Sequence, residues 1–144
     1  AVVKNPRLIT DLAKQFGSQS IVLSIEAKKT MSSWEVYTDN GREKTGIDVM
    51  DWIKKGIKLG AGEILLTSID KEGTKKGFDI LLTKKASKVC SVPLILSGGL
   101  GEIQHLKDLF KETRVDGIAI ASVFHYNLLD IKNIKKTICK YEIK

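Results

Sequence analysis

The stretch Glu63-Ile64-Leu65-Leu66-Thr67 decides the fold, because a short apolar run of this kind is typical of a strand buried in a parallel sheet. A helical pattern precedes it over residues 48–59, and a polar loop containing Gly73 and Gly77 follows it. A helix, a buried strand and a loop in this order predict a repeating βα unit.

The same unit recurs on both sides of this strand. Three further apolar strands are predicted at residues 20–25, 93–97 and 117–120. Helices are predicted at residues 5–16, 82–89, 103–110 and 131–141. Strands that alternate with helices indicate an α/β fold with a parallel sheet, right-handed crossovers and helices packed outside it.

A small hairpin is predicted between the first strand and the helix at 48–59. Residues 34–38 alternate, and Asp39-Asn40-Gly41 is a turn signal.

The composition fits one folded domain. With 144 residues, 42% hydrophobic and 28% charged, the chain has enough apolar material for a core and is not of the disordered class. No apolar run approaches the roughly 20 residues of a membrane span, and no signal-peptide layout is found, so no membrane partner is expected. Cys90 and Cys139 lie far apart without a CxxC motif, which argues against disulfides and structural zinc and favours a cytoplasmic location.

The charge balance of 24 basic against 17 acidic residues gives a net charge of +7. Such an excess occurs in proteins that bind nucleic acid, anionic surfaces or small phosphorylated substrates. The aromatic share is only 6% and the basic residues are spread along the chain, so a nucleic-acid partner is not expected. Two explanations of the positive net charge remain, namely solvated lysine-rich helix faces and a phosphorylated ligand.

Small or hydroxyl residues stand at the carboxyl end of every predicted strand. They are Ser24, Thr67 with Ser68, Ser97, and Ala121 with Ser122. Ligands of parallel α/β folds bind at the edge of the sheet where the strands end. Because all four strands end in such residues, the sequence predicts a ligand-binding rim along this edge.

A phosphate site is predicted at two neighbouring strand ends. Ser97-Gly98-Gly99-Leu100-Gly101 follows a strand and opens a helix, where glycines let backbone amides approach an anion. The motif is neither a Walker loop nor a GxGxxG fingerprint. The next strand ends in Ala121-Ser122, and two adjacent strand ends of this type match the phosphate site that barrels build after strands seven and eight.

A series of motifs resembles the cyclase subunit of imidazole glycerol phosphate synthase, in the same order along nearly the whole chain. The motifs are Trp34-Glu35-Val36-Tyr37-Thr38, Lys44-Thr45-Gly46, the run from Gly60 to Thr74, Gly77-Phe78-Asp79, Ser97-Gly98-Gly99 and Ala121-Ser122-Val123-Phe124-His125.

The resemblance implies a (β/α)8 TIM barrel, which runs to about 250 residues. Residues 1–144 would form its carboxyl-terminal half, with strands five to eight, while a first catalytic aspartate and a second phosphate site would lie outside this chain. The family takes ammonia from a glutaminase subunit and closes an imidazole ring. A bis-phosphorylated ribonucleotide is converted to imidazole glycerol phosphate and an aminoimidazole carboxamide ribotide. No cofactor or metal is implied.

The resemblance also implies roles for individual residues. Glu26 would be the catalytic carboxylate at the end of strand five, and Glu63 would lie at the barrel bottom where ammonia enters. One phosphate would be held by Gly73, Gly98, Gly99, Ala121 and Ser122. Three residues would line the pocket, namely Thr67, Ser97 and Glu72.

Glu26 and Glu72 depart from the family pattern, which has aspartate at both positions. Glutamate keeps the charge but displaces the carboxylate by about one methylene, and a misplacement of about 1 Å can cost on the order of 10²-fold in rate. Glu26 therefore also motivates an alternative, a paralogous ammonia-dependent enzyme of sugar amidation in surface-polysaccharide synthesis. A third hypothesis is a non-catalytic half-barrel that binds phosphate and self-associates through its open sheet edges.

The two histidines are assigned no proton-transfer role. His105 is predicted to be a solvated helix residue, and His125 follows the predicted phosphate turn.

Overall fold

The computed structural model describes residues 1–120 and 130–142, which form a six-stranded sheet with helices on one face. The helices are α1 Arg7–Phe16, α2 Val49–Leu59, α3 Ile80–Val89, α4 Ile103–Glu112 and α5 Ile131–Glu142. The strands are β1 Val22–Lys29, β2 Trp34–Thr38, β3 Glu43–Asp48, β4 Glu63–Ser68, β5 Leu94–Ser97 and β6 Gly117–Ala119.

The strand order is β3-β2-β1-β4-β5-β6, with β1, β4, β5 and β6 parallel. The α/β prediction and its βα repeats are thereby confirmed. The predicted hairpin is also present, since Asp39, Asn40 and Gly41 all have positive φ values, of 53°, 54° and 79°. Its strands β2 and β3 extend the sheet antiparallel at the β1 edge.

The core lies between the sheet and the helices. One face of the parallel strands carries Leu23, Ile25, Ile64, Leu66 and Leu96, each at most 3% exposed. Side chains of the helices cover this face, among them Trp52, Ile53, Leu82, Leu106 and Leu109. Burial of these apolar surfaces is the main source of stability for the fold.

The opposite face of the sheet carries two rows of side chains in register. The upper row, at the carboxyl edge, is Glu26, Thr67, Ser97 and Ala119, and the row below it is Ser24, Leu65, Ile95 and Gly117. In a closed barrel this face lines the interior. In the described residues the sheet is open, with helices on its other face, which agrees with the expectation of part of a (β/α)8 barrel.

β1 is longer than predicted. The predicted strand ends at Ile25, whereas β1 runs to Lys29 because residues 26–29 pair with the hairpin strand β2. The prediction that Ser24 stands at the strand end is therefore wrong, since it lies beside Leu65 in the middle of the sheet. Glu26 takes its place in the upper row.

Two aspartates cap helices and connect them to the hairpin. Asp48 accepts hydrogen bonds from the amides of Met50 and Asp51 at the start of α2, and from the hydroxyl of Ser33. Asp79 accepts from the Leu82 amide at the start of α3, at 3.0 Å, and from the indole N–H of Trp34, at 2.9 Å. Caps of this type satisfy amides that lack a partner within the helix.

Within residues 1–120 and 130–142, no helix combines the length and apolar character needed to cross a membrane.

Candidate functional site

The upper row places three of the predicted site residues side by side at the carboxyl edge. Glu26 is paired in register with Thr67, and Thr67 with Ser97. Paired residues of neighbouring parallel strands point to the same face, so a carboxylate and two hydroxyls share one surface. All three side chains are half-buried.

Glu26 is held in place by the hairpin. Its Oε2 accepts a hydrogen bond of 3.1 Å from the backbone amide of Gly41 in the hairpin turn. The turn rests on the segment after β4, since a Cβ built on Gly41 would lie 3.1 Å from the Ile69 side chain. The hairpin tip therefore covers the carboxyl edge beside Glu26.

The predicted phosphate loop has the backbone geometry of an anion cradle. Gly98 and Gly99 have φ values of +97° and +109°, which glycine adopts without strain. Among the described residues, the amides of Gly98, Gly99 and Leu100 have no hydrogen-bond acceptor. Successive unpaired amides in this conformation attract an anion.

This loop is stacked directly against the loop that follows β4. The Gly77 amide donates to the Gly99 carbonyl at 2.8 Å. A Cβ at Gly99 would lie 2.1 Å from the Gly77 carbonyl oxygen, and one at Gly101 would lie 2.2 Å from the Lys75 carbonyl oxygen. The glycines are thus required for backbone packing, and a side chain at Gly99 would force the two loops apart.

Glu72 and Gly73 lie on the facing loop. Glu72 lines a small cavity together with Ser97, Gly98, Gly99 and Ala119. Its Oε2 would lie 2.9 Å from a Cβ on Gly98, so an exposed carboxylate lies beside this loop. Gly73 has a φ of +69° and open space around its Cα.

The other predicted phosphate ligands, Ala121 and Ser122, lie outside the described residues, as does His125.

Glu63 is the first residue of β4 and lies in register with Val22 at the amino-terminal end of the sheet. Thr67 lies four positions further along the strand, which corresponds to ~13 Å. The structure therefore places Glu63 on the same face as the upper row but at the opposite end.

His105 is not the solvated residue that was predicted. Its side chain is 15% exposed, and its Nδ1 accepts hydrogen bonds from the amides of Gly101, at 3.0 Å, and Glu102, at 3.3 Å. The signal that could have found it is its position three residues after the helix cap, where a side chain can reach back to the first amides.

A metal centre is not indicated within residues 1–120 and 130–142, where no three His, Cys, Asp or Glu side chains are grouped to hold an ion. Cys90 and Cys139 are both free thiols, and burial raises the pKa of Cys90.

The fold and the rim place the chain in the class of βα-repeat proteins with ligand sites at the carboxyl edge of a parallel sheet. Within this class, the model of the family described as histidine biosynthesis protein matches residues 1–130. The chain belongs to this family, which confirms the resemblance seen in its motifs.

Curated relatives agree with this assignment. The chain is 45% identical over 144 residues to the imidazole glycerol phosphate synthase subunit HisF of Alkaliphilus metalliredigens, covering 99% of this chain and 57% of that protein. It is 47% identical over 137 residues to the protein of the same name from Streptococcus sanguinis, covering 94% and 54%. The one from Legionella pneumophila is 62% identical over 105 residues, covering 72% and 50%. The chain thus spans about half the length of the curated relatives it matches.

Proposed function

We propose that this chain is the carboxyl-terminal half-barrel of an ammonia-dependent cyclase of histidine biosynthesis, a lyase that acts on a bis-phosphorylated ribonucleotide. The observation that carries the proposal is the juxtaposition of two features at one edge of the sheet. These are the part of the upper row formed by Glu26, Thr67 and Ser97, and the loop whose amides at Gly98 and Gly99 have no acceptor in the part of the chain that the structure describes. The family match and the names of the relatives support it.

In this proposal the loops hold one phosphate of the substrate. The amides of Gly98 and Gly99 donate to its oxygens, with Gly73 on the facing loop and Ala121 and Ser122 on the next turn. Backbone donors that are already oriented bind an anion without reorganisation, which favours both affinity and positioning. Glu72 moves away from Gly98 when the phosphate binds.

Glu26 is the proton-transfer group. A carboxylate can accept a proton from the attacking amine and return one to the ring nitrogen when it lies within hydrogen-bond reach of the substrate. Among the described residues only Oε2 accepts a hydrogen bond, from Gly41, and in this proposal Oε1 faces the substrate. Thr67 and Ser97 line the pocket beside it.

Ammonia is proposed to come from a glutaminase subunit docked at the amino-terminal end of the strands, where Glu63 lies. A route through the barrel would keep ammonia away from water between the two sites.

The proposal is tested in a chimaera in which this chain replaces the corresponding half of the Alkaliphilus metalliredigens relative. We expect the chimaera to restore growth of a bacterial strain whose own cyclase subunit is deleted, on medium without histidine. The control is the intact relative. A folded chimaera that binds phosphate but does not restore growth would contradict the cyclase function. Ammonia-dependent amidation of a sugar by that chimaera would favour the paralogous enzyme.

Glu26 is tested in the same chimaera. Because Glu26→Gln removes proton transfer at nearly constant volume, it should abolish ring closure while leaving substrate affinity nearly unchanged. Retention of turnover within about threefold would remove Glu26 from the mechanism.

The open sheet face supports a second candidate function, a phosphate-binding half-barrel that self-associates without catalysis. Val22 on this face is 52% exposed, and Leu65 and Ile95 are only half-buried. Covering such a face would remove apolar area from water. A phosphate-binding dimer in sedimentation experiments, together with a chimaera that does not turn over, would favour this candidate.

A further inference from the structure

The loop between β5 and α4, residues 98–102, contains two kinds of backbone amide. The amides of Gly98, Gly99 and Leu100 have no acceptor among the described residues, whereas those of Gly101 and Glu102 are both satisfied by His105. Successive unpaired amides in a loop that leads into a helix are common donors to an anion. His105 therefore divides the donors of this loop into two sets.

The imidazole also connects the two stacked loops. A Cβ built on Gly77 would lie 3.5 Å from the His105 Cδ2, so the ring lies close beside this glycine. Gly77 in turn donates its amide to the carbonyl of Gly99. One side chain thus lies beside the loop after β4 with its ring and accepts hydrogen bonds from the loop after β5 at Nδ1.

The hydrogen bonds define the form of the ring. Since Nδ1 accepts from two amides, the ring hydrogen lies on Nε2, and Nε2 is 3.7 Å from Glu102 Oε1. Rotation of the ring would break both hydrogen bonds to the amides. The position of the ring beside Gly77 and the two bonds at Nδ1 therefore require the same ring orientation.

We propose that His105 is a positioning residue for the phosphate site. By occupying the amides of Gly101 and Glu102, it fixes the start of α4 and directs the anion to the amides of Gly98, Gly99 and Leu100. It does not touch the phosphate. This inference rests on the phosphate site of the proposed function.

Two substitutions distinguish the effect of the hydrogen-bond acceptor at Nδ1 from the effect of the aromatic ring. His105→Asn places an amide oxygen at the position of Nδ1 and removes the rest of the ring. His105→Phe keeps the ring and removes the acceptor. Gln104→Phe adds an aromatic ring at the exposed neighbouring position of α4 and serves as the matched control.

The experiment is a titration of the 15N-labelled 144-residue chain with inorganic phosphate, followed by the amide shifts of Gly98 and Gly99. We expect the dissociation constant to rise on the order of tenfold in His105→Phe, because two amides lose their acceptor. His105→Asn and Gln104→Phe should stay within about threefold of the parent chain. The imidazole nitrogen shifts of the parent chain should show an unprotonated Nδ1 and a protonated Nε2.

Each contrary result has a distinct meaning. Unchanged affinity in His105→Phe overturns the proposal, and so does equal weakening in His105→Asn, because the ring rather than the acceptor would then matter. If His105→Phe does not fold, His105→Gln takes its place, since its polar atoms reach Nε2 but not Nδ1. A parent chain whose Gly98 and Gly99 do not respond to phosphate overturns the phosphate site itself.

Discussion

Glu26 secures the hairpin turn, because its Oε2 accepts a hydrogen bond from the Gly41 amide, and its side chain belongs to the upper row of the sheet. In the proposed function, this contact would account for a glutamate at a position where the family resemblance implies aspartate. The longer side chain spans from β1 to the amide of Gly41, at 3.1 Å. The methylene that displaces the carboxylate is thus used to bind the hairpin, and the position of the charge is set by the turn.

Shortening this side chain should release the turn. In Glu26→Asp we expect the Gly41 amide to exchange its hydrogen with solvent faster, because the carboxylate no longer reaches it. Glu35 provides the matched control, since its Oε1 accepts from the Gly46 amide at 2.8 Å in the same hairpin. Glu35→Asp should accelerate exchange at Gly46 and leave Gly41 unchanged. Equal protection of Gly41 in the parent chain and Glu26→Asp would show that the turn is held by other contacts.

Asp48 should make part of the stability depend on pH. Burial raises the pKa of Asp48, but the Ser33 hydroxyl and the amides of Asp51 and Met50 outweigh burial and hold this pKa below its usual value. A pKa lower in the folded than in the unfolded chain stabilises the fold above the unfolded pKa of about 4. This contribution is lost as the pH falls through the folded pKa.

Urea unfolding between pH 6 and pH 3 checks this prediction. Asp48→Asn keeps a capping side chain but cannot ionise, so it should lose less stability over this range than the parent chain. Ser33→Ala should fall between the two, because it removes one donor. Parallel pH profiles for all three chains would exclude a contribution from Asp48.

At the scale of elements, the hairpin is joined to the βα repeat through Asp79. This carboxylate caps α3 and also accepts from the indole of Trp34, which is 3% exposed in β2. One side chain therefore satisfies a helix terminus and a buried donor on a different element.

Removing this carboxylate should be costly. Asp79→Ala is expected to lower the free energy of unfolding by about 2 kcal/mol, since it removes a cap and leaves a buried N–H without an acceptor. In a Trp34→Phe background the same change should cost about 1 kcal/mol less, because only the cap is lost. Denaturant unfolding of the four chains measures this coupling, and additive effects would show that the indole bond contributes nothing to stability.

The elements also show which features the sequence could predict. The turn at Asp39, Asn40 and Gly41 was predictable because local residue types favour positive φ values. The length of β1 could not be predicted in this way. Residues 26–29 are part of the strand because they pair with β2, which lies further along the chain.

The candidate site shows the same division. Thr67 and Ser97 could be placed at strand ends from apolar runs alone, and the structure confirms both positions. The capping role of His105 could be predicted from its position after the helix cap, but its burial could not, because that depends on the loop of Gly77, which belongs to a different βα unit.

At the scale of the whole molecule, the exposed sheet face is organised from one end to the other. Its amino-terminal end carries Glu63 beside Val22, its middle row is mostly apolar, with Leu65 and Ile95, and its carboxyl edge carries the polar row. In a closed barrel these levels would lie along the central axis. A small neutral molecule that enters beside Glu63 would pass an apolar section before it reaches Glu26.

This arrangement predicts how Glu63 should behave in the chimaera when it is paired with the relative's glutaminase. Glu63→Gln should reduce glutamine-driven turnover by about tenfold, while turnover with added ammonium salt stays within about twofold, because only the first route requires an intact entrance. Glu43→Gln, at an exposed glutamate on the hairpin strand β3, is the control and should leave both routes unchanged. The ratio of the two rates, measured on the same preparation, removes any effect of folding yield. Equal losses by both routes would place Glu63 in folding or in the chemistry, since damage to the entrance alone spares ammonia that arrives from solution.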